Sequence, residues 1–308
     1  MAAPMHPLGT RPPAHSAIHD VPPPANADHI KRKFLDIPYA HVSPAQRLDI
    51  YLPDEGKGPF PVILSIHGGA FMMGDKADAQ LLPFLEGLKR GYAVVAVNYR
   101  LSWEARFPAL IHDVKAAVRW IGANAGRYYL DLARIAAWGG SAGGYLASML
   151  GVSAGIRELE DLNLGHPEQP CSVQAVVAWF GPTDFGKMDE QLAEWGLASP
   201  ELQPHNAPDS PESLLLGAPL TEIPERVQAA NPETYVRPGA PPFLLQHGTR
   251  DVLVPALQSV NLAARLRQVL ESDRVMLELL EGAGHADPRF ESQENVTRVL
   301  DFIDRHLG

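Results

Sequence analysis

One cysteine, Cys171, stands in a chain of 308 residues, so no disulfide can form within the chain and no paired-cysteine metal motif exists. A lone thiol of this kind fits a reducing compartment, as a small residue packed near a strand. Basic residues are outnumbered: 26 Lys and Arg face 36 Asp and Glu, a formal charge of −10. That balance disfavours nucleic acid and anionic membrane as partners and favours a neutral substrate. No apolar run is long enough to span a bilayer. The first 30 residues are rich in proline but hold no apolar core of signal-peptide length, so a cytoplasmic location is expected. H-E-x-x-H is missing, and the 12 histidines are scattered without ligand spacing, so no metal is expected. Gly282-Ala283-Gly284 begins a dinucleotide fingerprint, but Asp287 stands where its third glycine belongs. Gly69 to Lys76 starts like a phosphate loop, yet Asp75 replaces the lysine and Lys76 the Ser or Thr. No cofactor is expected.

With 45% apolar residues the chain can build one large α/β domain over 31–308, preceded by a Pro-rich N-terminal arm over 1–30 that includes Pro22-Pro23-Pro24. Apolar runs predict strands near Lys33–Tyr39, Arg47–Leu52, Pro61–His67, Tyr92–Asn98, Arg134–Trp138, Val173–Phe180, Pro242–His247 and Arg274–Leu280. In the second, Leu48, Ile50 and Leu52 alternate with polar neighbours, the pattern of a half-exposed edge strand. Continuously apolar runs such as Ala93-Val94-Val95-Ala96-Val97 mark parallel strands covered on both faces. Leu110, Ile111, Val114, Ala117, Val118 and Ile121 form one helical stripe, and Val296, Val299, Leu300, Ile303 and Leu307 another. Both stripes read as core. The interval 181–239 breaks the alternation of strand and helix with scattered prolines and acids, and is expected to fold as a small lid over the strand ends.

Gly139-Gly140-Ser141-Ala142-Gly143-Gly144 fits G-x-S-x-G at the end of the strand Ile135-Ala136-Ala137-Trp138. A serine in so sharp a strand-to-helix turn presents its hydroxyl clear of the backbone, and its neighbours must lack bulk. Such a serine is a weak nucleophile until a base takes its proton, so a histidine and a carboxylate are expected further on. His285 follows the run Val275–Leu280, and Asp251 lies in the turn leaving the run Phe243–His247. The chain order Ser, Asp, His is that of the α/β-hydrolases. Asp184, after the preceding strand, competes for the carboxylate role but reads better as a cap. Glu281 and Asp287 flank His285 too closely to orient it, and read as solvated. His67-Gly68-Gly69-Ala70 ends another strand; its glycine-rich turn can aim backbone N–H groups at an oxyanion. Gly69 and Ala70 are assigned to that hole together with Ala142, while His67 shapes the loop. Ala70 stands where a third glycine is common, which should matter little because the donor is main-chain.

On these residues the chain resembles the α/β-hydrolase esterases of the hormone-sensitive-lipase-like and acetyl/feruloyl carbohydrate esterase type. The likeness rests on His67-Gly68-Gly69-Ala70-Phe71, Gly139 to Gly144, His247-Gly248-Thr249-Arg250-Asp251 with Pro255, and Gly282-Ala283-Gly284-His285. It extends from about Phe34 to the end. It implies an α/β-hydrolase fold: a mostly parallel eight-stranded sheet with helices on both faces and a small lid insertion. It also implies hydrolysis of neutral, short-acyl or aryl carboxylic esters, carbohydrate or phenolic, through an acyl-enzyme on Ser141, His285 and Asp251. Phe71, Met72, Trp103, Tyr145, Trp179 and Phe180 are candidate pocket walls by their nearness to the motifs. Amide hydrolysis of the arylformamidase kind would use the same three residues, and a binding protein that has lost catalysis is disfavoured by their presence. Oligomeric state stays open, a homo-oligomer included.

Overall fold

The computed structural model describes residues 8–9 and 22–308, so the arm expected over 1–30 falls largely outside the described residues. Strands form at β1 (Lys33–Pro38), β2 (Arg47–Tyr51), β3 (Phe60–Ile66), β4 (Ala93–Val97), β5 (Leu130–Gly140), β6 (Ala175–Trp179), β7 (Phe243–Gly248) and β8 (Val275–Leu280). They make one sheet in the order β1-β2-β4-β3-β5-β6-β7-β8. Pairing is antiparallel from β1 to β2 and from β2 to β4, and parallel throughout the rest. The expected mostly parallel eight-stranded sheet is therefore present.

Two apolar cores lie on its two sides, and the strand period of two residues divides them. Along β3, Val62, Leu64 and Ile66 enter one core while Ile63 enters the other. Ala93, Val95 and Val97 of β4 join the first, Val94 and Ala96 the second. Helices Ala109–Tyr128 and Ala142–Ser153 close the first side with Leu110, Val114, Leu146 and Leu150. Helix Gln293–Leu307 closes the second with Val296, Val299, Leu300 and Ile303. Helices thus cover both faces, as continuously apolar strands require. Among the described residues no helix is long and apolar enough to cross a membrane.

The second strand departs from expectation. β2 is not an edge: it is flanked by β1 and β4, and Leu48, Asp49, Ile50 and Tyr51 are all buried. Asp49 can be buried because Lys76 Nζ reaches its carboxylate at 3.1 Å and Asp36 at 2.9 Å, a charge partner brought in from the loop after β3. The interval 181–239 holds no strand, only short helices at Met188–Glu194, Pro211–Leu216 and Pro224–Ala230 and single turns between them.

Candidate active site

Ser141 occupies the junction between β5 and helix Ala142–Ser153 with φ 54° and ψ −121°, a conformation that side chains other than glycine rarely adopt. Its N–H donates to the Trp179 carbonyl on β6 at 2.9 Å, and its own carbonyl accepts from Tyr145 N–H at 3.0 Å. All residues of the helix are buried, and it can sit this deep only because its first turn lacks bulk. A Cβ on Gly143 would stand 2.0 Å from the Ile66 carbonyl oxygen, and one on Gly139 2.4 Å from the Gly143 backbone. The glycines of the motif are thus close-approach positions.

The Ser141 hydroxyl donates to His285 Nε2 at 3.0 Å, and His285 Nδ1–H donates to Asp251 Oδ2 at 2.7 Å. Asp251 is fully buried, and its other oxygen accepts from the N–H groups of Leu253 at 2.9 Å and Val254 at 2.8 Å. Burial alone would raise its pKa, but His285 and the hydrogen bonds around the carboxylate hold it well below the ordinary range. The loops bearing Asp251 and His285 are sewn together: Arg250 N–H donates to the Ala283 carbonyl at 2.8 Å, and Gly282 N–H to Thr249 Oγ1 at 2.8 Å. A Cβ on Gly248 would come within 2.4 Å of the Ala283 oxygen.

The loop after β3 runs through three consecutive left-handed residues, Gly69 (φ 118°), Ala70 (φ 51°) and Phe71 (φ 65°). His67 and Gln80 hold it. His67 Nδ1–H donates to the Gly68 carbonyl at 2.8 Å, its ring stacks on Tyr99, and Gln80 Oε1 accepts from Gly68 N–H at 2.8 Å. Burial lowers the His67 pKa, so this imidazole stays neutral. The N–H groups of Gly69, Ala70 and Ala142 have no acceptor among the described residues.

Two cavities meet at Ser141, Ala70, Leu253 and His285. The smaller, about 120 Å³, is walled by Phe71, Pro182, Leu192, Leu202, Val252 and Val254, with His205 and Glu212 also facing it. The larger, about 470 Å³, is walled by Met73, Leu82, Phe84, Trp179 and Phe180, with Gln80 and Glu291 as its polar residues. Of the expected wall residues, Phe71, Trp179 and Phe180 line a cavity, and Met72, Trp103 and Tyr145 line neither. Tyr145 is fully buried behind Phe71 with its hydroxyl donating to the Ala230 carbonyl at 2.8 Å. Met72 is buried under the loop, and Trp103 Nε1–H donates to its carbonyl at 3.2 Å, bracing the turn from outside the cavities. Nearness in sequence to a motif does not bring these three to the walls of either of the two cavities at Ser141. Leu253 could have been found, since it lies two residues past Asp251; Leu192, Leu202 and His205 carry no such signal.

Asp184 has no part in the Ser141 chain. It caps the turn at Phe185–Lys187 through Gly186 N–H at 3.1 Å and accepts from Asn231 at 2.8 Å. Asp287 pairs with Arg289 at 2.9 Å. Cys171 is buried and donates to Glu160 at 3.2 Å, far from any nucleophilic setting. Among the described residues no three His, Cys, Asp or Glu side chains group as metal donors.

A family model described as BD-FAE matches residues 48–266. A probable carboxylic ester hydrolase, LipM of Mycobacterium tuberculosis, is 33% identical over 275 residues, covering 87% of this chain and 60% of its own length. The chain spans roughly 52 to 60% of the length of the first three curated relatives it matches. The solved structure of a truncated carbohydrate esterase from gut microbiota is 32% identical with a TM-score of 0.80, over 92% of this chain and 99% of that one. Esterase 2 of Thermogutta terrifontis in its butyrate-bound form superposes with a TM-score of 0.68 at 21% identity, over 91% of this chain and 95% of that one, a likeness of fold alone.

Proposed function

We propose that this chain, which belongs to the BD-FAE family and has the α/β-hydrolase fold, is a serine carboxylesterase. The observation that carries the proposal is the unbroken hydrogen-bonded chain from the Ser141 hydroxyl through His285 to buried Asp251, set beside three backbone N–H groups that have no acceptor among the described residues. With its Nδ1 proton committed to Asp251, His285 has Nε2 free to take the Ser141 proton as Oγ attacks an ester carbonyl. The Asp251 carboxylate then stabilises the imidazolium without accepting its proton. The oxyanion forms against the N–H groups of Gly69, Ala70 and Ala142, which the left-handed loop and the helix start hold in place beforehand. His285 protonates the departing alcohol, and water repeats the sequence on the acyl-enzyme.

The two arms of the ester enter the two cavities that meet at Ser141, and their apolar walls suit neutral short-acyl or aryl esters. We read 181–239 as the lid, because Leu192, Leu202 and His205 from that interval wall the smaller cavity. Ser141→Ala should fold with an unchanged melting temperature and lose both p-nitrophenyl ester turnover and labelling by a fluorophosphonate. Undiminished turnover rejects the proposal. A substrate panel that includes aryl formamides separates ester from amide preference.

A further inference from the structure

The two peptide units that meet at Gly68 carry four polar groups, and side chains hold three of them. In the 67–68 unit the His67 carbonyl accepts from the Tyr99 hydroxyl at 2.9 Å, and Gly68 N–H donates to Gln80 Oε1 at 2.8 Å. In the 68–69 unit the Gly68 carbonyl accepts from His67 Nδ1–H at 2.8 Å. The fourth group is Gly69 N–H, which has no acceptor among the described residues and is one of the donors assigned to the oxyanion. A peptide unit is flat and trans, so fixing both units fixes the direction in which Gly69 N–H points. Nothing larger than glycine fits at the joint: a Cβ on Gly68 would stand 2.9 Å from Gln80 Oε1, 2.9 Å from the Gly140 carbonyl oxygen and 3.4 Å from Ser141 Cβ. Gly68 is thus wedged between Gln80 and the turn that carries Ser141.

Gln80 is itself aimed. Its Nε2–H donates to Asp78 Oδ2 at 3.0 Å and its backbone N–H to Asp78 Oδ1 at 2.9 Å, and Asp78 is buried. Asp75 N–H reaches Asp78 Oδ2 as well, at 3.0 Å, and Asn98 Nδ2–H donates to Asp75 Oδ2 at 2.8 Å, so the line runs back to the end of β4. The Asp78 carboxylate accepts and Gly68 N–H donates, so a single orientation of the Gln80 amide satisfies both neighbours: nitrogen to Asp78, oxygen to Gly68. We infer that Gln80, oriented by Asp78, is a positioning residue that sets the aim of Gly69 N–H at the oxyanion and with it the rate of the chemical steps. The inference rests on Ser141 being the nucleophile and on Gly69 being an oxyanion donor. Gln80 lies on the wall of the larger cavity, where an ester arm displaces the water that would otherwise stand in for it. Without Oε1, Gly68 N–H is left unpaired beside that arm, and the loop relaxes to find it another acceptor, carrying Gly69 N–H off its line.

Gln80→Met tests this, since it keeps length and bulk and so denies water the place of the lost acceptor. In the folded variant kcat on p-nitrophenyl acetate should fall about tenfold or more, short of the roughly 10²- to 10³-fold cost of losing a donor outright. KM should stay within about twofold, because acylation and deacylation both pass through an oxyanion that the bound ester has not yet formed. An aryl trifluoromethyl ketone gives the same readout at equilibrium. Ser141 Oγ adds to its carbonyl carbon, the carbonyl electron pair moves to oxygen and the hydroxyl proton to His285, so the inhibition constant should rise in step with the loss of kcat. Asp78→Asn, whose amide nitrogen can face Gln80 and turn it around, should lower kcat as well. In a Gln80→Met background the same change should add less than about twofold, because Asp78 acts through Gln80. A kcat within about twofold of wild type in folded Gln80→Met overturns the inference, and so does a loss carried by KM with the ketone unmoved, or additive losses in the double variant. Should Gln80→Met fail to fold, Asp78→Asn carries the test alone: kcat must fall with KM held, and an unchanged kcat overturns the inference. A wild-type protein inert toward every ester and toward fluorophosphonate would instead defeat the esterase reading itself.

Discussion

His247 Nε2 lies 3.4 Å from the same Asp251 oxygen that His285 uses, yet its hydrogen bond goes to the Val254 carbonyl at 2.9 Å while Nδ1 meets the Ser259 hydroxyl at 2.7 Å. The ring is fully buried. It pins Val254, whose N–H is one of the two that bind Asp251, so the carboxylate is held by a loop that is itself held from behind.

Asp251→Asn should therefore keep its fold, because an amide oxygen can accept from Leu253 and Val254 as the carboxylate does. The amide nitrogen then faces His285 and favours the wrong tautomer. A loss of kcat of about 10⁴-fold is expected, by analogy with the same change in other serine hydrolases, with a melting temperature within a few degrees of wild type. Steady-state kinetics and thermal denaturation check this pair of outcomes.

Gly248→Ala should do the reverse of a neutral surface change. Its Cβ would meet the Ala283 carbonyl oxygen at 2.4 Å, a methyl group against backbone that cannot swing aside, so the loops carrying Asp251 and His285 must separate. A destabilisation of about 2 to 3 kcal/mol is expected. Turnover at a temperature where the variant is still folded should fall by at least about 100-fold, since the base no longer meets its acid.

Ala70→Gly tests the strained loop. Ala70 sits at φ 51°, where an L residue costs about 1 kcal/mol or more and glycine does not. After the greater entropy of glycine in the unfolded chain is subtracted, a gain of about 0.5 kcal/mol remains. Activity should stay within about threefold, because the N–H that faces the oxyanion is retained. A marked loss of stability would show that the Ala70 methyl group contributes packing that outweighs its strain.

Glu233 gives a pH signature of stability. Burial, with Asp184 beside it, pushes its pKa up to about 7, against the opposing effect of Thr183 at 3.0 Å. Below the unfolded glutamate value of about 4.3 both states are protonated and the group contributes nothing. Between that value and about 7 the folded chain keeps a proton that the unfolded chain has released, so stability falls as pH rises, then levels. The Thr183 hydroxyl lies within hydrogen-bond distance of both Glu233 Oε1 at 3.0 Å and the Gln258 carbonyl at 2.8 Å, so its one proton is shared between two acceptors. Glu233→Gln should match wild type near pH 4 and gain about 1 kcal/mol above pH 8, the full shift being discounted for partial exposure. Melting temperatures across that range decide it; an equal gap at both ends contradicts the assignment.

The frame was legible because buried parallel strands must be apolar without interruption, and the runs through Ile63, Val95 and Val177 have no other reading. β2 was misjudged because Asp49 resembles a solvent-facing residue until Lys76 is seen to neutralise it, and that contact joins segments distant in the chain. Ser141, Asp251 and His285 could be picked out because each sits just past the end of a strand, a position that sequence reveals. Walls are different. Tyr145 lies one helical turn from Ser141, but that turn carries its ring behind Phe71. His205 and Glu212 join the wall of the smaller cavity only through the path of 181–239, whose short helices have too few periodic residues to announce themselves.

The order β5-β6-β7-β8 divides the three central residues unequally. Asp251 and His285 follow neighbouring strands whose exits are stitched together, whereas Ser141 follows β5, beyond β6, and is tied to it through the Trp179 carbonyl. The Ser141–His285 distance is therefore set by the register across β5, β6, β7 and β8, whereas that of His285 and Asp251 is set by β7 and β8 alone.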